Sequence, residues 1–128
     1  MAFTATVLQH IVIGGETVSA SKAYSNSGQI SVDESIATGQ TDVSVSFNLD
    51  VSAAKAFYMV SDQDILVETN SGTTPDNSFS LKANVPYVWT SDSYDSFKLT
   101  VDVTALFITN TSGSTAAFKV RVIYDTTP

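Results

Sequence analysis

Between Thr41 and Leu49 apolar and polar residues alternate strictly. Val43, Val45, Phe47 and Leu49 fall on one side, and Asp42, Ser44, Ser46 and Asn48 on the other. Side chains of a strand point to opposite faces in turn, so this pattern predicts a strand with one buried and one wet face. The same period recurs along the chain. Phe3 to Ile13 is rich in β-branched residues and stops at Gly14-Gly15, a turn signal. Thr17 to Tyr24 alternates up to a break at Asn26-Ser27-Gly28, and Gln29 to Ile36 resumes the pattern through Ile30 and Val32. Ile65 to Thr69, Ser78 to Ala83, Tyr87-Val88-Trp89 and Phe97 to Val103 read as further short strands. Ala105 to Asn110 is compact and apolar. Ala116 to Tyr124 closes the series, with Phe118, Val120, Val122 and Tyr124 on one side.

Two segments depart from simple alternation. Lys55 to Ser61 carries the unbroken apolar run Ala56-Phe57-Tyr58-Met59-Val60. A strand buried on both faces looks like that, and so does one covered by a neighbouring subunit. Asp50 to Ala54 predicts one short helical turn capped by Asp50 or Ser52. Asp62-Gln63-Asp64 looks like a hairpin turn, Asn70 to Asn77 a loop, and Thr126-Thr127-Pro128 a frayed tail. No stretch holds helical periodicity over three turns. About eight to ten short strands with turns every 8–12 residues predict one all-β domain over residues 1–128, an antiparallel, jelly-roll-like sandwich.

Composition supports a packed core without staples. A chain of 128 residues with 43% hydrophobic content, seven Phe, five Tyr and Trp89 can bury roughly two-thirds of its unfolded surface. Cysteine is absent, which excludes disulfides, thiolate catalysis and Cys-ligated zinc. Thirteen acids against six bases give a net charge of −7. The bases, Lys22, Lys55, Lys82, Lys98, Lys119 and Arg121, are scattered, which argues against nucleic-acid and anionic-membrane partners. Met1 to Thr6 shows no basic segment followed by an apolar run, and synthesis and folding in a cytoplasm are expected.

Chemistry is sparse. His10 is the sole imidazole and sits in an apolar strand, without the partner a general base or metal site requires. Asp62 with Asp64, and Asp92 with Asp95, offer oxygens for calcium but lack the framing of a calcium loop; as solvated loop residues they need no ion. No nucleophile elbow is present, and Gly14-Gly15 precedes no helix that would make it a phosphate cradle. The expectation is no enzyme, no catalytic residue, no metal and no cofactor. Tyr87, Trp89 and Tyr94 are candidates for a sugar-stacking or partner surface, although aromatic residues two apart on a strand ordinarily pack a core. Asn110-Thr111-Ser112 matches a glycosylation acceptor, which carries no weight without a secretory signal.

The stretch from Val103 to Asn110, the Gly113-Ser114 turn, the run Phe118 to Asp125, and Thr69-Asn70 leading through a loop into Phe79-Ser80-Leu81 resemble small virion proteins of tailed phages. In particular they resemble head decoration (cement) proteins and related β-sandwich modules. That resemblance implies a structural protein on the capsid exterior, made in the host cytoplasm, forming a homotrimer and clamping the major capsid protein. Phe3, Phe57, Tyr58 and Met59 are then candidate subunit contacts, on the segments Ala2 to Ile13 and Ala56 to Val60; ordinary core strands account for both segments as well. The alternative is a carbohydrate- or receptor-binding module of a tail fibre or baseplate, working through Tyr87, Trp89 and Tyr94.

Overall fold

The computed structural model describes residues 2–127. It contains ten strands: β1 (Phe3–Ile13), β2 (Glu16–Asn26), β3 (Gly28–Ile36), β4 (Val43–Leu49), β5 (Ala54–Ser61), β6 (Ile65–Thr69), β7 (Ser78–Leu81), β8 (Tyr87–Thr90), β9 (Val103–Thr109) and β10 (Ala116–Tyr124). β3 to β10 form two four-stranded sheets in the orders β3-β10-β5-β8 and β4-β9-β6-β7, and every pairing is antiparallel. This is the interleaved double Greek key of a jelly roll. β1 and β2 stand apart as a two-stranded hairpin paired over its whole length, from Phe3↔Asn26 to Ile13↔Glu16.

The core lies between the two sheets and follows the period-two pattern. Val45, Phe47 and Leu49 point into it from β4, and Phe118, Val120 and Val122 from β10, all buried. Phe47 and Phe57 meet edge to face across the sheets with ring centroids 6.4 Å apart. Among the described residues, every buried side-chain nitrogen or oxygen has a hydrogen-bond partner. The expected helical turn is a 3-10 turn at Val51–Ala53, with Asp50 as its cap accepting from the Ser52 amide at 3.0 Å.

Three expectations are corrected. Asp62-Gln63-Asp64 is not a hairpin turn, because β5 and β6 belong to different sheets. It is a corner between them, held where Asp62 accepts the Ala117 amide (2.7 Å) and Asp64 the Ala83 amide (2.8 Å). Phe97 to Val103 is not a strand before Val103. Its amides go to side chains instead, Lys98 N–H to the Tyr87 hydroxyl and Thr100 N–H to Asn77 Oδ1, while buried Leu99 and half-buried Phe97 plug the open end of the sandwich. The C-terminal segment is tied down, since the Thr126 amide and hydroxyl both donate to Ser27 Oγ. Met1, first residue of the N-terminal segment read for a signal pattern, and Pro128, last of the expected tail, lie outside the described residues.

Candidate interaction surface: the β1–β2 arm

The hairpin forms because β-branched residues flank a two-residue turn that only glycine fits comfortably. Gly14 and Gly15 both have positive φ, 58° and 80°, as a tight primed hairpin turn demands. One face of the arm presents Ala5, Val7, Ile11 and Ile13 from β1 with Tyr24, Lys22, Ala20 and Val18 from β2. The other presents Thr4, Thr6, Leu8, His10 and Val12 with Ser25, Ala23, Ser21, Ser19 and Thr17.

The root of the arm lies against the outer face of the β3-β10-β5-β8 sheet. Ala5, Val7 and Tyr24 are half-buried there, and Ala56 and Ile123 are buried although their neighbours Phe57 and Val122 face the core from the opposite side. The root is also pinned at the β8 end. Lys22 Nζ reaches Asp92 Oδ2 at 2.7 Å, and the Tyr24 hydroxyl lies 3.0 Å from Thr90 Oγ1 and 3.1 Å from Asp92 Oδ2. The hydrogen bond from Lys22, then that from Tyr24, holds the Asp92 carboxyl below its ordinary range; the same contact raises Lys22. Both groups are solvent-exposed, so the clamp orients the arm more than it stabilises the fold.

Past the Val7↔Lys22 pair the arm leaves the body. Every residue from Leu8 to Ala23 is exposed, a projection of six further pairs, or about 20 Å. Its large apolar side chains are bare: Leu8 is 64% exposed, Ile11 56%, Val12 61%, Ile13 65% and Val18 51%. Among the described residues, most of the strongly exposed large hydrophobic side chains are on this arm. Ile11, Ile13 and Val18 lie on the face that continues from the root, while Leu8 and Val12 lie on the reverse. Glu16 is the one ionised residue at the turn end, opposite Ile13. Two grooves of about 450 Å³ each flank the root. One runs between Val7 or Leu8 and Tyr58, Val88 and Arg121. The other lies between Lys22 or Tyr24 and the loop Asp92 to Ser96.

The residues singled out from sequence fall in different environments. Phe57 and Met59 are buried in the core, so as a subunit contact they are corrected: the sandwich itself covers them. Phe3 at the arm root and Tyr58 on the outer sheet are partly exposed. Tyr87, Trp89 and Tyr94 line one groove, the one beside Lys22 and Tyr24. Tyr87 and Trp89 are half-buried and pack with Phe97, whose ring centroid lies 4.3 Å from that of Trp89 and nearly parallel to it, whereas Tyr94 stands fully in solvent. Burial raises the Tyr87 hydroxyl above its usual range. His10 is exposed on the arm opposite Ser19. Among the described residues no three His, Asp or Glu side chains gather as metal ligands. Asn110 is fully buried and cannot serve as a glycan acceptor.

The sequence reading offers Ala2 to Ile13 as a candidate contact segment and names Phe3 in it; the structure places the barest large apolar side chains of that segment farther along, at Leu8 and Ile11 to Ile13. A signal was there: Ile11-Val12-Ile13 runs into Gly14-Gly15 with apolar side chains on both faces, where a free hairpin end ordinarily turns polar. No protein-family model, curated protein or solved structure matches the chain.

Proposed function

We propose that this chain is a structural virion protein of the capsid-decoration type, which docks on the outside of a protein shell and stabilises it by contact rather than chemistry. The observation that carries the reading is the pairing of a fully satisfied jelly-roll body with a projecting arm that concentrates the bare apolar surface. Jelly rolls serve capsids, lectins and cupins alike, so the fold does not choose among them. The site chemistry does more. A lectin or tail-fibre reading draws on Tyr87, Trp89 and Tyr94, which line one groove, but Tyr87 and Trp89 are half-buried and stack on Phe97, which leaves less ring face for a sugar. A net charge of −7 favours the exterior of a shell over its genome-facing side, where clustered bases would be needed. A cysteine-free core is also indifferent to the redox change on leaving a cell.

The test is electron microscopy of the particle from which the chain comes, together with co-sedimentation of purified protein with shells lacking it. Jelly-roll density on the outer surface and saturable co-sedimentation are expected. Density at the tail alone, or calcium-dependent binding to a glycan array, would replace this reading with the tail-module one.

A further inference from the structure

We infer that the groove along β1 at the arm root is a strand-addition site, which takes an extended segment of a partner polypeptide with apolar residues at every second position and a carboxylate among them. The inference gives the proposed docking a chemistry and rests on that reading only for who the partner is.

The groove meets β1 along its edge. Its β1 lining runs unbroken from Thr4 to Gln9, and among the described residues none of β2 joins it. A groove against one face of a strand would meet only every second residue, so an unbroken run places it beside the backbone. That edge is free, since β1 bonds only β2. In an antiparallel pair every second residue turns its N–H and C=O away from its partner, so half of this run offers both groups to whatever fills the groove. An extended backbone answers such a row of donors and acceptors at matching spacing. An alkyl chain or a flat apolar surface would cover the row and leave it unpaired, at a cost. The floor sets the side chains. Arg121, Tyr58 and Val88 form one row across the outer sheet, through the pairs Arg121↔Tyr58 and Tyr58↔Val88. Tyr58 is 39% exposed and Val88 half-buried, so apolar surface lies open beside the strand edge. An incoming strand presents every second side chain to it. Among the described residues lining the groove, Arg121 is the only ionised one. Its guanidinium holds both oxygens of Asp33, at 2.9 and 3.0 Å, and Lys119 lies 3.8 Å from the same carboxylate. Two bases therefore share one acid, while Glu34, the next residue on β3, turns to the other side of the sheet. This local excess of positive charge, in a chain of net charge −7, selects a carboxylate on the incoming segment.

The probe is a capped peptide of about eight residues in which Val and Thr alternate and one central Val is replaced by Asp, long enough to run beside Thr4 to Gln9. It is titrated into the full chain and followed by amide NMR. Saturable shifts at Thr4 to Gln9, Tyr58 and Val88 are expected, with a Kd below about 1 mM. Two further peptides carry N-methyl groups on alternate amides, one for each edge, which keeps the side chains and removes the ladder donors. One of the two is expected to bind at least about tenfold more weakly, and a peptide with Lys in place of Asp at least about fivefold more weakly. All these changes are made in the peptide, so the folding of the chain does not enter. Absence of shifts at Thr4 to Gln9, or both methylated peptides binding like the parent peptide, overturns strand addition. Equal affinity for the Lys peptide overturns the carboxylate. Shifts at these residues that grow with the chain's own concentration before any peptide is added place a second copy in the groove and overturn the foreign segment. Shell binding is scored separately: chains that seat the peptide but ignore shells defeat the virion reading and leave the groove standing, whereas chains that bind shells without seating the peptide do the reverse.

Discussion

Asn110 is the residue whose removal should cost the body most for its size. It sits at the end of β9, fully buried, where the two sheets meet. Its Nδ2 donates to Ile36 O at 2.8 Å on β3 and to Ser114 O at 2.9 Å ahead of β10. Its Oδ1 accepts from the Ser112 amide at 3.0 Å and from the Ser112 hydroxyl at 2.6 Å. Its backbone is used as well, donating to Gln40 O and accepting from Gly39 N–H. Asn110→Ala leaves the backbone bonds but removes the four side-chain ones. A typical bond is worth about 1 kcal/mol net, and orphaning a buried carbonyl such as Ile36 O costs about 1–3 kcal/mol, so a loss of about 3–4 kcal/mol is expected. For a domain of this size that is a fall in Tm of about 10–15 °C. Asn110→Asp keeps the acceptor for Ser112 but sets a carboxylate against two carbonyl oxygens. It should be at least as damaging at neutral pH and recover in part on acidification, as the protonated carboxyl regains a donor. Urea unfolding followed by Trp89 fluorescence measures all three proteins. A loss under about 1 kcal/mol for the alanine variant, or an aspartate variant more stable than it at neutral pH, would refute the argument.

Two other predictions concern how the arm is joined to the body. Gly28 opens β3 beneath the ring of Tyr124, and a methyl carbon placed there would lie 2.6 Å from both Cε atoms. Gly28→Ala should therefore destabilise by about 1–3 kcal/mol, and adding Tyr124→Ala should restore part of that; a double variant whose losses simply add would count against the clash. The Lys22–Asp92 clamp should hold across the neutral range. Asp92 is lowered, so its contribution is present above the ordinary aspartate value of 3.8 and is lost as pH falls through the depressed value. Lys22 is raised, so its contribution is present below its ordinary value of 10.5 and is lost only as pH rises through the elevated one. NMR of the arm amides should show the root loosening in strong acid, and Asp92→Asn should show it loosened already at neutral pH. Identical root dynamics in parent and variant at neutral pH would remove the clamp from the account.

Much of the body was legible because its strands obey one rule. Val43, Val45, Phe47 and Leu49, and again Phe118, Val120 and Val122, announce by spacing alone which way they point, and they point there. The rule fails where backbone groups find partners other than a strand. Leu99, Val101 and Val103 are spaced as a strand, yet the amides of that segment bond to Tyr87 and Asn77. Asp62-Gln63-Asp64 has the composition of a hairpin turn, but composition does not say whether the next strand pairs with the last or crosses to the other sheet. The arm was half legible: the strands and the Gly14-Gly15 turn were plain, but period two says that a face is apolar, not what covers it. The role of Lys22 and Asp92, seventy positions apart in the chain, left no local trace at all.

The energetics of the arm bear on the proposed docking. Five apolar side chains, each a little more than half exposed, stand to contribute about 1 kcal/mol each on burial, or about 5 kcal/mol per arm. Bringing two proteins together costs at least about 4 kcal/mol, so one arm laid on a foreign surface gives weak, readily reversed binding. On the proposed reading, tight decoration therefore needs contact beyond the arm, and the half-open outer sheet around Tyr58, Lys119 and Arg121 lies beside the arm root to supply it. Two weak contacts on one rigid body act together, because once one is made the other forms at a raised effective concentration. Ile11→Asp is then expected to weaken co-sedimentation with shells by at least about tenfold while leaving the body folded. A variant that decorates shells as tightly as the parent would remove the arm from the account.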